Sequence, residues 1–108
     1  MSTSTARSEI EETLTRIKSH KGVEGILIMN KVTGMIIKST LTEDQSKTHA
    51  SFISSLSERC DLMIPTLEEE ENDDELQFLR IRTRKKEIMV ATEGEFLLVV
   101  IQNPNAVE

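Results

Sequence analysis

The sequence LQFLRIRTRKKEIMVATEGEFLLVVIQ, residues 76–102, contains three short segments rich in aliphatic and β-branched residues, separated by two polar turns. Its last segment, FLLVVI at residues 96–101, has no polar residue, which is typical of a strand covered on both faces. A Glu-Gly-Glu turn precedes this run, and its β-branched residues favour a strand over a buried helix. Residues 87–92 supply a middle strand. The stretch therefore predicts a β-meander whose last strand lies deep in the core.

The first segment of this meander alternates in polarity. Leu79 and Ile81 fall on one side of the predicted strand, whereas Phe78, Arg80 and Arg82 fall on the other. A strand with one apolar face and one mixed face indicates a sheet edge or a contact surface. The basic residues that continue into the next turn are either a solvated turn or a contact surface for an acidic partner, and arginine beside an aromatic ring matches the composition of interfaces.

A helix is predicted near the start of the chain. Residues 1–7 are small and polar, and we expect them to form a disordered tail. Ser8 and Glu11 have the spacing of a capping box, which predicts that the first helix begins at Ser8. Basic residues crowd its far end, and Gly22 is well placed to terminate it.

Two strands and a second helix follow. Residues 23–29 and 35–40 are typical of two strands joined in a β-hairpin. Thr42 and Gln45 form a second capping-box pattern, and Pro65 ends the helix that begins there because proline cannot continue the hydrogen-bond ladder.

The apolar stripe of this second helix is wider than contact with one sheet face requires. We therefore expect His49 and Phe52 to face something other than the sheet. After the helix, residues 68–75 read EEEENDDE and predict a solvated acidic loop.

The resulting element order is helix, two strands, helix, three strands. Consecutive hairpins give an antiparallel sheet, and strands that are apolar on both faces need a covering layer on each side. We predict an α+β fold: a three-layer sandwich in which a five-stranded, mostly antiparallel sheet carries one helix per face. Residues 8–104 form this domain, and residues 105–108 form a C-terminal tail.

Composition limits the classes of function. With 108 residues, 37% of them hydrophobic and 3% aromatic, the chain forms one domain with a modest core, which favours burial of further apolar surface in an oligomer. The net charge of −6 argues against nucleic-acid binding. No apolar run is long enough to cross a membrane. The single cysteine, Cys60, excludes an intrachain disulfide and indicates a reducing, intracellular compartment.

The sequence offers no set of residues suited to catalysis. His20, His49 and Cys60 are too few and too scattered for a zinc site. His49 and Cys60 lie about three helical turns apart, too far for a nucleophile–base pair. The glycines match neither a P-loop nor a dinucleotide fingerprint, and the acidic loop lacks the pattern of an EF-hand. We expect a protein that is not an enzyme and that uses no cofactor or metal.

Four stretches of the chain closely resemble the roadblock family of dynein light chains: FLRIRTRKKEIMVA (residues 78–91), FLLVVIQNP (96–104), KGVEGILIMN (21–30) and GMIIKST (34–40). The resemblance spans nearly the whole chain and implies the element order predicted above. It also implies a symmetric homodimer, or a pseudo-symmetric heterodimer with a paralogue. In such dimers the second helix and third strand of each chain meet across a two-fold axis, and the two sheets join.

The resemblance implies a non-catalytic dynein subunit. Such a dimer binds the dynein intermediate chain and supports assembly of the motor complex and attachment of cargo in microtubule-based transport. Its expected location is the cytoplasm, on the cytoskeleton, with the ciliary axoneme as the other compartment that dyneins occupy. The resemblance assigns seven residues to the dimer interface: His49, Phe52, Ile53, Leu56, Phe78, Arg80 and Arg82.

The chain departs from the family pattern in its loops. It carries TLEEEENDDE at residues 66–75, Ala-Thr-Glu at residues 91–93 and a hairpin turn lengthened by Lys31 and Val32. These departures indicate a divergent paralogue and leave both cytoplasmic and axonemal dyneins open. The alternative is a scaffold or regulator of small GTPases with the same fold, although relatives of that kind resemble RIRTRKKEIMVA (residues 80–91) much less.

Overall fold

The chain is described by a computed structural model that covers residues 2–67 and 74–106, with side chains from Glu9 onward except Ile10 and Ala106. The acidic loop predicted at residues 68–75 therefore lies outside the described residues, apart from Asp74 and Glu75, which are exposed. No helix in the described part of the chain is long and apolar enough to span a membrane.

The order of helices and strands is the predicted one. A 3₁₀ turn at Ile64–Leu67 follows the second helix, and another at Pro104–Ala106 follows the last strand. The main elements are α1 (Ser2–Lys18), β1 (Val23–Asn30), β2 (Ile36–Ser39), α2 (Glu43–Met63), β3 (Phe78–Arg82), β4 (Glu87–Glu93) and β5 (Phe96–Gln102). The strands form one antiparallel sheet in the order β2-β1-β5-β4-β3.

Strand β5 occupies the centre of the sheet, between β1 and β4. Val99 lies opposite Leu27 on β1 and Val90 on β4, and all three side chains have 0% exposure. The apolar run of this strand is buried because side chains on its two faces enter two different layers of the core. The predicted buried strand is confirmed.

Each face of the sheet carries one helix. On one face, Ala50 and Ile53 of α2 pack into a cluster with the apolar side chains of β1, β4 and β5, and Leu79 and Ile81 of β3 pack against its margin. On the other face, Leu14 of α1 packs into a smaller cluster of β1 residues. The three-layer architecture is confirmed.

Helix α1 begins earlier than its sequence indicates. The helix includes Ser2, so the predicted start at Ser8 is wrong, while Met1 lies outside the described residues. The carboxylate of Glu11 lies 3.4 Å from Lys38 Nζ on β2, where it forms an ion pair between the helix and the sheet. No Pro or Gly occurs in residues 2–7 to interrupt the helix on its N-terminal side.

Helix α2 begins as predicted. Thr42 Oγ1 accepts a hydrogen bond from Gln45 N at 3.2 Å, and Thr42 N donates to Gln45 Oε1 at 3.2 Å. This capping box satisfies two backbone groups at the N-terminus of the helix. The α-helix ends at Met63, and Pro65 lies in the 3₁₀ turn that follows. The predicted end of the helix is confirmed.

Gly25 lies where strand β1 passes close to Leu41. A Cβ atom added at this position would lie 2.3 Å from Leu41 Cδ2, far inside van der Waals contact. We expect Gly25→Ala to lower the free energy of unfolding by about 1–3 kcal/mol, measured by urea denaturation, because Leu41 must leave its position against the core.

Leu41→Ala provides the control for this prediction. Because shortening Leu41 removes the clash, the double variant Gly25→Ala/Leu41→Ala should lose less stability than the sum of the two single losses. Strictly additive losses would show that the clash with Leu41 is not the cause.

Candidate interaction surface

Strand β3 is an edge of the sheet, and no described strand lies beyond it. Just outside its ends, Thr92 N donates to Gln77 O and Thr83 N donates to Lys86 O. In an antiparallel pair, hydrogen-bonded positions recur at every second residue. Odd-numbered residues of β3 therefore bond to β4, and the N–H and C=O groups of Phe78, Arg80 and Arg82 point to the open side.

The side chains of β3 divide between the two faces of the sheet. Leu79 and Ile81 are half-buried on the face that carries α2. Phe78 is 54% exposed, and Arg80 and Arg82 are also exposed, on the face that carries α1. The mixed strand predicted from the sequence is confirmed. Because the open edge combines free backbone groups with apolar side chains, it can accept a further strand.

Arg80 is held by a buried carboxylate. Arg80 Nε donates to Glu87 Oε2 at 2.6 Å, and Gln102 Nε2 donates to Glu87 Oε1 at 2.8 Å. The Glu87 side chain is 2% exposed, whereas the Arg80 side chain is largely in solvent. Both carboxylate oxygens are thus satisfied, as a buried charge requires.

This arrangement shifts the pKa of both groups. The hydrogen bond from Arg80 lowers the pKa of Glu87 and outweighs its burial, which acts in the opposite direction; the bond from Gln102 assists. The hydrogen bond to Glu87 and its negative charge raise the pKa of Arg80 above its ordinary value. Arg80 is therefore a fixed cation on the edge strand and remains ionised at any physiological pH.

The lowered pKa of Glu87 predicts a pH dependence of stability. Its carboxylate contributes stability above the pKa of an unfolded glutamate, roughly 4.3, and that contribution is lost as the pH falls through the lower pKa of the folded state. Glu87→Gln should therefore lower the free energy of unfolding at pH 7 and have a smaller effect near pH 3, as measured by urea denaturation. Glu24→Gln, at an exposed position of β1, is the control. An equal loss for Glu87→Gln at both pH values would contradict the assignment.

Helix α2 presents a stripe of side chains that its contact with the sheet does not cover. Phe52 is 48% exposed, Met63 is also exposed, and Leu56 is half-buried. His49 is half-buried, and its Nδ1 donates to Gln45 O at 2.8 Å. These positions share one side of the helix. The expectation that the helix has more apolar surface than the sheet needs is confirmed.

Ile53 does not belong to this surface. Its side chain has no exposed area and packs in the core between α2 and the sheet, so within the chain it contacts the sheet and not the exposed stripe. Its assignment to the dimer interface stays a prediction. Ile53 lies three residues after Ala50, so both residues are on the side of the helix that faces the sheet.

The remaining six residues form two groups rather than one patch. His49, Phe52 and Leu56 lie on α2, whereas Phe78, Arg80 and Arg82 lie on the opposite face of the sheet. Leu79 and Ile81 connect the groups, since they belong to the edge strand but face the α2 side. The sequence analysis did not assign these two residues or Glu87 to the surface. The alternation of β3 was a usable signal for Leu79 and Ile81, whereas nothing local marks Glu87 as buried.

A groove of about 360 Å³ lies on the other side of α2, next to the β1–β2 hairpin. Its lining combines serine hydroxyls with a few apolar and charged groups: Gly34, Ile36, Lys47, Ala50, Ser51, Ser54, Ser55 and Glu58. Among the residues that the structure describes, no three His, Cys, Asp or Glu side chains converge as metal ligands.

Known proteins share this architecture. Two solved structures are similar to the chain: a Roadblock/LC7 domain from Streptomyces avermitilis, with a TM-score of 0.68 and 12% identity, and MglB of Myxococcus xanthus, with a TM-score of 0.65 and 15% identity. The alignments cover 80% and 78% of this chain and 70% and 67% of those chains, respectively. At these identities the likeness concerns the fold.

The family assignment rests on the sequence. Residues 9–102, most of the chain and all of its strands, match the family description Roadblock/LC7 domain. The match includes α2 and β3, which carry the exposed stripe and the open edge. The chain belongs to the Roadblock/LC7 domain family.

Proposed function

We propose that this protein is a non-catalytic dynein light chain that acts as a homodimer, or as a heterodimer with a paralogue, and binds the dynein intermediate chain. In this role it supports assembly of the motor complex and attachment of cargo. The observation that carries the proposal is the exposed stripe on α2 that contains Phe52, together with an open edge strand, in a domain of the Roadblock/LC7 family.

The two parts of the surface suit a second copy of the chain. An open edge strand supplies a row of hydrogen-bonding groups that only another strand can satisfy in register. Phe52 supplies an aromatic anchor of the type that dominates binding energy at interfaces. A two-fold dimer would present each surface feature twice, which suits a partner that must hold two equivalent chains together.

The preference for dynein rests on the strand-turn-strand segment FLRIRTRKKEIMVA at residues 78–91, which resembles dynein light chains. This segment forms β3, the basic turn and most of β4. The segment that resembles dynein light chains is therefore the one that contains the open edge strand. The proposed location is the cytoplasm, in the dynein complex on the cytoskeleton, or the axoneme if the partner is an axonemal intermediate chain.

A pull-down from the organism's own cells tests this function. The tagged wild-type protein is used as bait, and its partners are identified by mass spectrometry. Dynein intermediate chains enriched with the wild type support the proposal, and their class distinguishes cytoplasmic from axonemal dynein. Ser51→Glu serves as a control bait for charge substitutions on α2, since it adds a charge at an exposed position next to Phe52. Absence of any dynein chain would overturn the proposed partner.

The second candidate function is a scaffold or regulator of small GTPases. The similarity of the fold to two bacterial chains favours it, since the architecture is not confined to one motor complex. Addition of the pure protein to a GTPase recovered in the same pull-down discriminates the two: an increase in GTP turnover or nucleotide exchange supports this candidate. No effect on the GTPase, with intermediate chains recovered, supports the dynein role.

A further inference from the structure

We propose that the groove between α2 and the edge strand β2 binds a short extended segment of a partner protein, in which an acidic residue is followed by an apolar residue and then by a basic residue. The inference goes beyond the proposed function. The groove lies at the edge of the sheet opposite β3 and away from the exposed stripe of α2. A dimer formed through those two surfaces therefore leaves the groove open to a further ligand.

The groove and the exposed stripe occupy opposite sides of α2. Ser51, Ser54 and Ser55 line the groove, whereas the stripe contains Phe52 and Leu56. With about 3.6 residues per helical turn, residues two positions apart, such as Ser54 and Leu56, point in nearly opposite directions. Occupation of one surface therefore does not block the other.

Strand β2 supplies the other wall of the groove, and no described strand lies beyond it. Ile36 pairs with Met29, whose side chain belongs to the core cluster under α2, so Ile36 points to the same face and lines the groove. Ile36 is 36% exposed, and the adjacent Met35 and Ile37 are 68% and 46% exposed. Exposed apolar side chains at an unpaired sheet edge are features by which extended peptides are recognised.

A β-bulge limits what can bind to this edge. Ile28 of β1 pairs with Lys38. The next residue, Met29, pairs with Ile36, so Ile37 is an extra residue in β2. A bulge interrupts the regular spacing of the free backbone groups and protects an edge against addition of a long strand. The edge therefore disfavours β2 of a second copy and suits a short segment that is held mainly by its side chains.

The two ends of the groove carry opposite charges. Ser39 Oγ and Ser46 Oγ lie 2.6 Å apart where β2 leads into α2, and Lys47 follows at this end. Glu58 lies at the other end, eleven residues or about 16 Å further along the helix. Both side chains are exposed, and neither forms an ion pair with a described residue. They are therefore available to a ligand.

These charges determine the composition and direction of the segment. Antiparallel pairing with β2, the more stable arrangement, places the N-terminal end of the segment near Lys47 and its C-terminal end near Glu58. An acidic residue and a basic residue four positions later point to the same face and lie about 13 Å apart, so the two long side chains of the groove reach both. The residue midway between them points to Ile36 and Ala50, where an apolar side chain fits.

Peptide binding followed by NMR tests this inference. The probe is the synthetic peptide Ser-Asp-Thr-Leu-Thr-Lys-Ser with blocked termini, and the control peptide has its Asp and Lys exchanged. The probe should shift the amide signals of Ile36, Ser54 and their neighbours in the isotope-labelled wild type. Its Kd should be about ten-fold lower than that of the control, because two attractive contacts at exposed positions replace two repulsive ones. The difference should shrink at high salt.

A charge exchange in the protein provides the decisive comparison. Lys47→Glu/Glu58→Lys keeps the net charge and should prefer the control peptide, and its thermal melt should match that of the wild type because both positions are exposed. Ser51→Glu, which adds an acidic group in the groove, should weaken binding of the probe, whereas Phe52→Glu should bind it like the wild type, as a dimer or as a monomer.

Three results would overturn the inference: equal affinity of the wild type for the two peptides, a preference of the wild type for the control peptide, or no shift in the groove at millimolar probe. None of them depends on whether the chain is a dimer or binds dynein, so the proposed function stands or fails separately.

Discussion

Val99→Asp is expected to abolish soluble, folded protein. Val99 has 0% exposure and lies in the central strand between Leu27 and Val90. Loss of the buried apolar side chain alone removes about 1.5–3 kcal/mol, and an unpaired carboxylate at this position adds a desolvation cost of several kcal/mol. The sum is comparable with the whole stability of a domain, roughly 5–15 kcal/mol.

The control is the same substitution at an exposed valine. Val32 lies in the β1–β2 turn with 81% exposure, so Val32→Asp should leave the melting temperature nearly unchanged. Circular dichroism melts and the yield of soluble protein compare the two variants. Val99→Ala, which adds no charge, gives a measurable intermediate loss if the aspartate variant is insoluble. A cooperative melt of Val99→Asp close to that of the wild type would refute the central position of β5.

The sheet was predictable because its signal is local and redundant. The run from Phe96 to Ile101 has no polar residue, and this alone requires that both faces be covered. Leu79 and Ile81 alternate with charged neighbours, so one face of that strand is apolar and the other is polar. A strand of this kind is typical of a sheet edge. Thr42 and Gln45 likewise define a helix start by contacts within four residues of each other.

The features that the sequence does not reveal depend on contacts distant in sequence. Ser8 and Glu11 have the spacing of a cap, but Glu11 pairs with Lys38, which only the fold brings near. Ile53 and Phe52 are adjacent in an apolar stripe, and the sequence cannot tell which of them faces the sheet. Glu87 resembles a solvated residue at a turn until β3 and β5 place donors on both of its oxygens.

Because of these contacts, substitutions at neighbouring positions of α2 have different effects on folding and on association. Substitution of Ile53 would disrupt the core and any dimer together, so its effect could not be attributed to either. Phe52 is different because its ring is half exposed and its removal leaves the cluster between α2 and the sheet intact. It is therefore the residue at which folding and association separate most cleanly.

Phe52→Glu should convert the proposed dimer into a folded monomer. A central aromatic residue contributes about 2 kcal/mol or more to an interface, and a two-fold contact contains it twice. The substitution should then weaken association by about 4 kcal/mol, roughly a thousand-fold in Kd, before the cost of burying the new charge. Light scattering over a range of protein concentrations measures the mass, and a thermal melt reports whether each chain is still folded.

Ser51→Glu is the matched control for the charge, since it alters an exposed neighbour on the same helix that faces the groove rather than the stripe. It should retain the dimer mass. A wild type that is dimeric and a Phe52→Glu variant of unchanged mass would move the interface away from α2. If the monomeric variant also fails to recover the intermediate chain in a pull-down while Ser51→Glu recovers it, partner binding depends on the dimer. Recovery by the monomer would instead mean that one chain carries a complete binding site.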